Sequence, residues 1–190
     1  MATAFAPGKC ILFGEHAVVY GHPAVAVAID AGVEVKLEVS KKWEIKNDHY
    51  GNYFEEFKPS KNPHIQHIIR DIFDYTGPPL KINIESNLFS SAGLGSSAAL
   101  SNAMGAALHH LTKPEKEIDL VKLAKIGHSA EANAQSGRAS PTDSATSSLG
   151  GCVVVTGEKN KDLKHVFDTS LVTPEGERKW SIHSVEIHEN

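Results

Sequence analysis

The chain has 190 residues, 41% of them hydrophobic and 22% charged, with a net charge of −4 and two cysteines. That is enough for one domain with a proper core, its composition is not that of a disordered chain, and it offers neither a basic footprint for nucleic acid nor a Lys/Arg block for a membrane surface. Cys10 and Cys152 lie far apart without metal-ligand spacing, which argues against a disulfide scaffold or a zinc site and for a reducing, cytoplasmic compartment; there is no basic-then-apolar leader and no run of about 18 apolar residues.

In chain order, residues 6–21, APGKCILFGEHAVVYG, read as a loop punctuated by glycines. It carries Lys9, a source of positive charge, and the adjacent Glu15 and His16, which suit hydrogen bonds to a polar substrate; the same residues also suit an ordinary solvated surface. Residues 24–40 set Val33, Val35, Leu37 and Val39 against Glu34, Lys36 and Glu38, the period-two pattern of a half-buried strand. Residues 43–47 predict a second, shorter strand, and 48–52 a turn around Gly51. Over 64–75, Ile65, Ile68, Ile69, Ile72 and Phe73 share one helical face behind Pro63. His64 and His67 lie one turn of that helix apart and, without Cys or carboxylates in register, read as helix surface rather than metal ligands. Residues 80–85 alternate as a strand. Helices are expected over 97–111 and 120–135, a Ser/Gly/Pro-rich loop next, and a buried strand at Val153, Val154 and Val155. From Glu158 the chain is polar and weakly patterned until alternation returns at 180–187, and in this region after Glu158 a capping strand or an exposed edge is expected.

Between the strand at 80–85 and the helix at 97–111 stands SAGLGSSAA, residues 91–99. Amides released by Gly93 and Gly95, followed at once by a helix N-terminus, suit an anion such as phosphate. Small residues of this kind also let a helix pack tightly on a sheet, and the segment by itself leaves both readings open. It is not a P-loop, because no lysine follows either glycine. Gly93-x-Gly95-x-x-Ala98 formally fits a dinucleotide fingerprint, but about 20 residues on, at Lys113-Pro114-Glu115, there is no strand ending in an acid.

Three ordered segments carry a resemblance over residues 3–156. PGKCILFGEHAVVYG, AGLGSSAA, and the stretch GHSAE (127–131) with GRASPTDSAT (137–146) and Gly150-Gly151 together resemble the GHMP kinases, and GEHAVVYG is most similar to their archaeal mevalonate kinase branch. The resemblance implies an α+β fold, the GHMP kinase N-terminal domain (ribosomal protein S5 domain 2-like), a mixed sheet with helices packed on one face. It implies one ATP-binding domain over 1–190 without the C-terminal domain the family carries. By position it implies Lys9 and Asp143 as the catalytic pair, with Lys9, Glu15, His16 and Asp143 at the acceptor substrate. Ser91, Ala92, Gly93, Leu94, Gly95, Ser96, Ser97 and Ala98 would hold ATP, and Ser97 and Glu131 would be Mg²⁺ ligands, hard oxygen donors that suit this ion. The implied reaction is ATP-dependent phosphorylation of a small alcohol, above all mevalonate to 5-phosphomevalonate in isoprenoid biosynthesis, with phosphomevalonate or galactose as other acceptors and a non-catalytic nucleotide- or metabolite-binding module as the alternative. Expected partners are that substrate and ATP, no nucleic acid and no membrane, with a homodimer or a complementing C-terminal domain as further possibilities. Read without the family, Asp143 also suits a helix N-cap.

Overall fold

The computed structural model describes residues 1–89, 92–135, 139–173 and 176–185. Its longest strand, β2 (Ala24–Val39), follows from the alternation seen in the sequence: Val33, Val35 and Leu37 are buried while Glu34 is exposed. β1 (Ala2–Phe13) runs antiparallel to it along its length. The other pairings of β2 are divided between β5 (Leu80–Ser86), opposite its second half, and β6 (Cys152–Thr156), opposite its first half. Beyond β5 lie β3 (Glu44–Asn47), parallel to it, and the two-residue β4 (Glu55–Glu56). Beyond β6 lie β8 (Gly176–Val185) and β7 (Lys164–Thr173), both antiparallel, so the sheet is mixed.

Most of the long β1 falls where the glycine-punctuated segment reads as a loop. Pro7 has no N–H for a ladder and Gly8 no side chain to continue an alternation. The sheet absorbs them in an irregularity: Pro7 pairs with Gly32 and Lys9 with Ala28, two residues of β1 against four of β2. Only the part after Phe13 is a loop, closed by a 3₁₀ turn, Ala17–Tyr20. The second departure is β7, whose exposed Lys164, Asp168, Ser170 and Val172 hide the period; of the strand, Phe167 is the residue buried in the core.

Four helices cover the face carrying Val33, Val35, Leu37, Leu80, Ile82 and Ile84: α1 (Pro63–His67), α2 (Ser96–Thr112), α3 (Leu120–Ala134) and α4 (Thr142–Leu149). α1 is shorter than the isoleucine pattern suggests, because the chain widens into a π turn at Ile68–Ile72 while still burying Ile65, Ile68 and Ile69. α2 is buried nearly all round, as a helix between a sheet and other helices must be. Its small residues make that possible: a Cβ on Gly105 would press on Leu123 and Ile126 of α3. Asp119 caps α3 by accepting the Val121 N–H at 2.9 Å. A second apolar cluster of Val18, Ala24, Ala145, Val153, Val155, Phe167, Trp180 and Ile182 joins α4 to the β6–β8 end of the sheet. Among the described residues no helix is long and apolar enough to cross a membrane.

Candidate active site

The irregularity at Pro7–Lys9 carries the end of β1 across the segment before α2. Gly8 is required there, since a Cβ would stand 2.8 Å from the Leu94 carbonyl oxygen. The next residue donates its backbone N–H to that same oxygen at 2.9 Å. Lys9 then turns its buried side chain along the loop: Nζ donates to the Gly93 carbonyl at 3.0 Å and forms an ion pair with Asp143 Oδ1 at 3.2 Å. One ammonium therefore joins the glycine loop to the first turn of α4.

Gly93 and Gly95 both have φ of +71°, the left-handed region that glycine enters without a Cβ penalty. Gly95 is the N-cap of α2, and a Cβ there would lie 2.9 Å from Lys9 Cγ, so it serves both the turn and the close approach. Ala92, Gly93, Leu94 and Gly95 lead into the helix, and the N–H groups of Ser96 and Ser97 start it, where no carbonyl of the helix lies one turn back. Ala98, next in line, is fully buried. The start of the small-residue segment presents turned backbone and helix amides, and its continuation packs a helix. Ser91 lies outside the described residues, as do residues 136–138 of the Ser/Gly/Pro-rich loop.

Asp143 sits in the first turn of α4, whose N-cap is Pro141, so the capping alternative for this aspartate does not hold. It is held from behind: Asn102, buried in the middle of α2, donates its side-chain N–H to the Ser144 carbonyl at 2.8 Å. Gly127 of α3 lets the helices meet there, since a Cβ would fall 2.2 Å from Asn102 Oδ1. On the other side of Asp143, His128 of α3 pairs through Nε2 with the Ala139 carbonyl at 3.2 Å and packs edge-on against Trp180. The Trp180 indole N–H in turn donates to the Val18 carbonyl at 2.9 Å, fixing the 3₁₀ turn that follows Glu15 and His16. Both of those are exposed, and Glu15 is near enough to Asp143 to act on its charge.

Burial pushes the Asp143 carboxyl up, and the charge of Lys9 with its hydrogen bond pulls it back down. Glu131 of α3, 5% exposed, is pushed up to about 8, first by burial and then by the negative charge of Asp143, with Lys9 opposing. No ion pair or hydrogen bond reaches its carboxylate from the described residues. A buried carboxyl next to a second one, with Lys9 as the counter-charge among the described residues, suits a divalent cation. Among the described residues no three His, Cys, Asp or Glu side chains gather to hold a metal alone. Any cation here would need further oxygens from outside the carboxylates.

Residues 63–151 match the GHMP kinases N terminal domain. The chain is 35% identical over 167 residues to mevalonate kinase of Methanothermobacter thermautotrophicus, covering 83% of this chain and 51% of that protein. It is 33% identical over 183 residues to that of Methanocaldococcus jannaschii, covering 87% and 57%. The crystal structure of Methanococcus jannaschii mevalonate kinase superimposes with a TM-score of 0.69 at 29% identity, over 83% of this chain and 54% of that one. This chain carries a GHMP kinase N-terminal domain. It spans about half the length of the curated relatives it matches.

Within this GHMP kinase domain, five of the residues singled out in the sequence meet directly: Lys9, Gly93, Leu94, Gly95 and Asp143. Glu131 and Glu15 are within electrostatic reach of that group. Ser97 instead meets a residue read as helix surface: its Oγ lies 2.8 Å from His64 Nε2. His67, one turn on, does not join His64 on a metal; it bridges Asp71 (2.7 Å) and Ser129 (3.0 Å). Asn102, His128 and Trp180 have no chemical signature in one sequence, though a lone Asn in an Ala-rich helix was a usable signal. The largest cavity described, about 1020 Å³, opens between α3 and the β7–β8 hairpin, and neither Lys9 nor Asp143 lines it. Hydrogen bonds and charges, rather than concavity, mark the candidate site.

Proposed function

We propose that this chain forms the nucleotide-binding and reacting part of an ATP-dependent kinase for a small alcohol, with mevalonate as the acceptor. The observation that carries the reading is Lys9, which holds the Asp143 carboxylate and the Gly93 carbonyl on one ammonium. The names of the relatives supply the acceptor, since the two curated proteins cited above are mevalonate kinases.

The amides opening α2 face developing phosphate charge, aided by the helix dipole. Asp143 accepts a hydrogen bond from the acceptor hydroxyl and orients its oxygen. That oxygen forms a bond to the γ-phosphorus as the bond from the γ-phosphorus to the β–γ bridging oxygen breaks and ADP leaves; the hydroxyl proton passes to Asp143 or to solvent. A carboxyl raised by burial is a better match for proton transfer near neutral pH than an ordinary aspartate. Lys9 stabilises negative charge on either oxygen, so catalysis here is mainly positioning and electrostatics. Ser97 and Glu131 would hold Mg²⁺, which offsets phosphate charge when bound and supplies the positive charge that Glu131 lacks. Glu15 and His16 are placed to contact the acceptor.

The test is ADP release by the chain with Mg²⁺, ATP and mevalonate, beside Asp143→Asn. Turnover that requires mevalonate and falls by about 10²-fold or more in the variant is expected. Full activity in Asp143→Asn overturns the assignment, and ATP binding without turnover leaves a binding module.

A further inference from the structure

His64 and Ser97 are 33 residues apart in sequence, and the fold brings His64 Nε2 to 2.8 Å from Ser97 Oγ. A serine hydroxyl has one proton and two lone pairs. A serine in a helix commonly spends its proton on the carbonyl one turn back. Ser97 stands in the first turn of α2, where no carbonyl of the helix lies one turn back to take it. The imidazole is therefore the acceptor the site provides, and with the proton directed there both lone pairs of Oγ are left for another group.

The ring is held on a rigid support. Ile65, Ile68 and Ile69, on the same turn and the next, are buried in the core. His67 ties the same short element to Ser129 of α3, two residues before Glu131, and is itself paired with Asp71. Ser97 and Glu131, on different helices, are thus approached from one side by a single fixed element.

We propose that His64 is a positioning residue of the phosphoryl-transfer site, accepting the Ser97 hydroxyl proton and so fixing Oγ with its lone pairs free for a nucleotide-bound divalent cation. The proposal rests on the reading of Ser97 as a cation ligand. His64 itself touches neither nucleotide nor cation; it acts through the serine, as outer partners of metal ligands do.

Two measurements test it on the full chain. The first is equilibrium binding of ATP, with and without Mg²⁺, by the parent chain and by Ser97→Ala, His64→Leu, His64→Gln and His67→Ala. The Mg²⁺-dependent gain in affinity falls about 10- to 100-fold in Ser97→Ala and in His64→Leu. His64→Gln, whose Oε1 can accept the same proton, keeps most of it, and His67→Ala loses stability but keeps the gain. An undiminished gain in His64→Leu overturns the role of His64. If the parent shows no gain, or Ser97→Ala keeps it, the reading of Ser97 falls and the proposal with it. The second is the ¹⁵N spectrum of the His64 ring in the unsubstituted chain, which remains decisive if His64→Leu does not fold. A bare, hydrogen-bonded Nε2 is expected, and an Nε2–H tautomer overturns the proposal.

Discussion

Replacing Lys9 by Met keeps most of the stem beside Gly95 and removes the ammonium. Asp143 then loses its ion pair at 3.2 Å, and the Gly93 carbonyl loses a donor at 3.0 Å. Two neighbouring carboxyls, Asp143 and Glu131, then have no counter-charge among the described residues. Removing one partner of a buried pair costs about 3–5 kcal/mol. The Asp143 side chain is 28% exposed, so solvent screens part of this, and about 3 kcal/mol is the expected loss at pH 8. The loss is capped by protonation, because a carboxyl that takes up a proton no longer needs the cation. Without Lys9 both folded-state pKa values rise further above their unfolded values of 3.8 and 4.5, and the folded variant binds more protons than the unfolded chain. Its stability is therefore retained near pH 4 and falls as pH climbs through the folded values, by up to about 1.4 kcal/mol per unit for each group. Urea unfolding of the parent, Lys9→Met and Lys9→Met/Asp143→Asn at pH 5 and pH 8 measures this. The single variant should lose clearly more at pH 8 than at pH 5, and the double variant should recover at least half of the loss at pH 8. A loss that is the same at both pH values, with additive effects in the double variant, would refute the electrostatic account of this site.

Three further outcomes are expected. Gly95→Ala should cost more than Gly93→Ala: both pay about 1–2 kcal/mol for a left-handed residue, but only at Gly95 does the new Cβ meet Lys9, so equal losses in urea unfolding would argue against that contact. Glu131→Gln should stabilise the metal-free chain at pH 9 and leave it unchanged at pH 4.5. Folding raises the glutamate from 4.5 to about 8, its ionised form opposes folding across that window by an upper bound of roughly 5 kcal/mol, and an equal gain at both pH values would contradict the shift. Trp180→Phe takes the indole donor from the Val18 carbonyl and leaves it the Gly21 N–H, so a loss of about 0.5–1.5 kcal/mol is expected, with faster amide hydrogen exchange confined to the Ala17–Tyr20 turn; unchanged exchange there would detach that turn from β8.

Elements with a regular period were legible in the sequence. β2 and β5 alternate, α2 and α3 have helical composition, and each lies within a residue or two of its expected bounds. β1 was hidden because its ladder is interrupted where the site is made: Pro7 and Gly8 break the pattern that a strand shows in sequence, and the same break lets Lys9 reach the glycine loop. β7 was hidden by its polar side chains. The shortening of α1 by a π turn leaves the isoleucine spacing almost unchanged, so no count of apolar positions reveals it.

The site shows the same division more sharply. Lys9, Gly93 and Gly95 stand out in the sequence as a cation and turned backbone, whereas Asp143 is picked out by the resemblance to the GHMP kinases. What holds them is chemically anonymous. Asn102, His128 and Trp180 work through a carbonyl each, Ser144, Ala139 and Val18, and a backbone carbonyl leaves no mark in sequence. His64 lies between the two classes: a histidine is conspicuous, yet its partner is a hydroxyl 33 residues away, and within its own helix it reads as surface. Sequence spacing within one element therefore predicts which residues share a face. Only the packing of α1 against the start of α2 decides that His64 and His67, one turn apart, serve different helices.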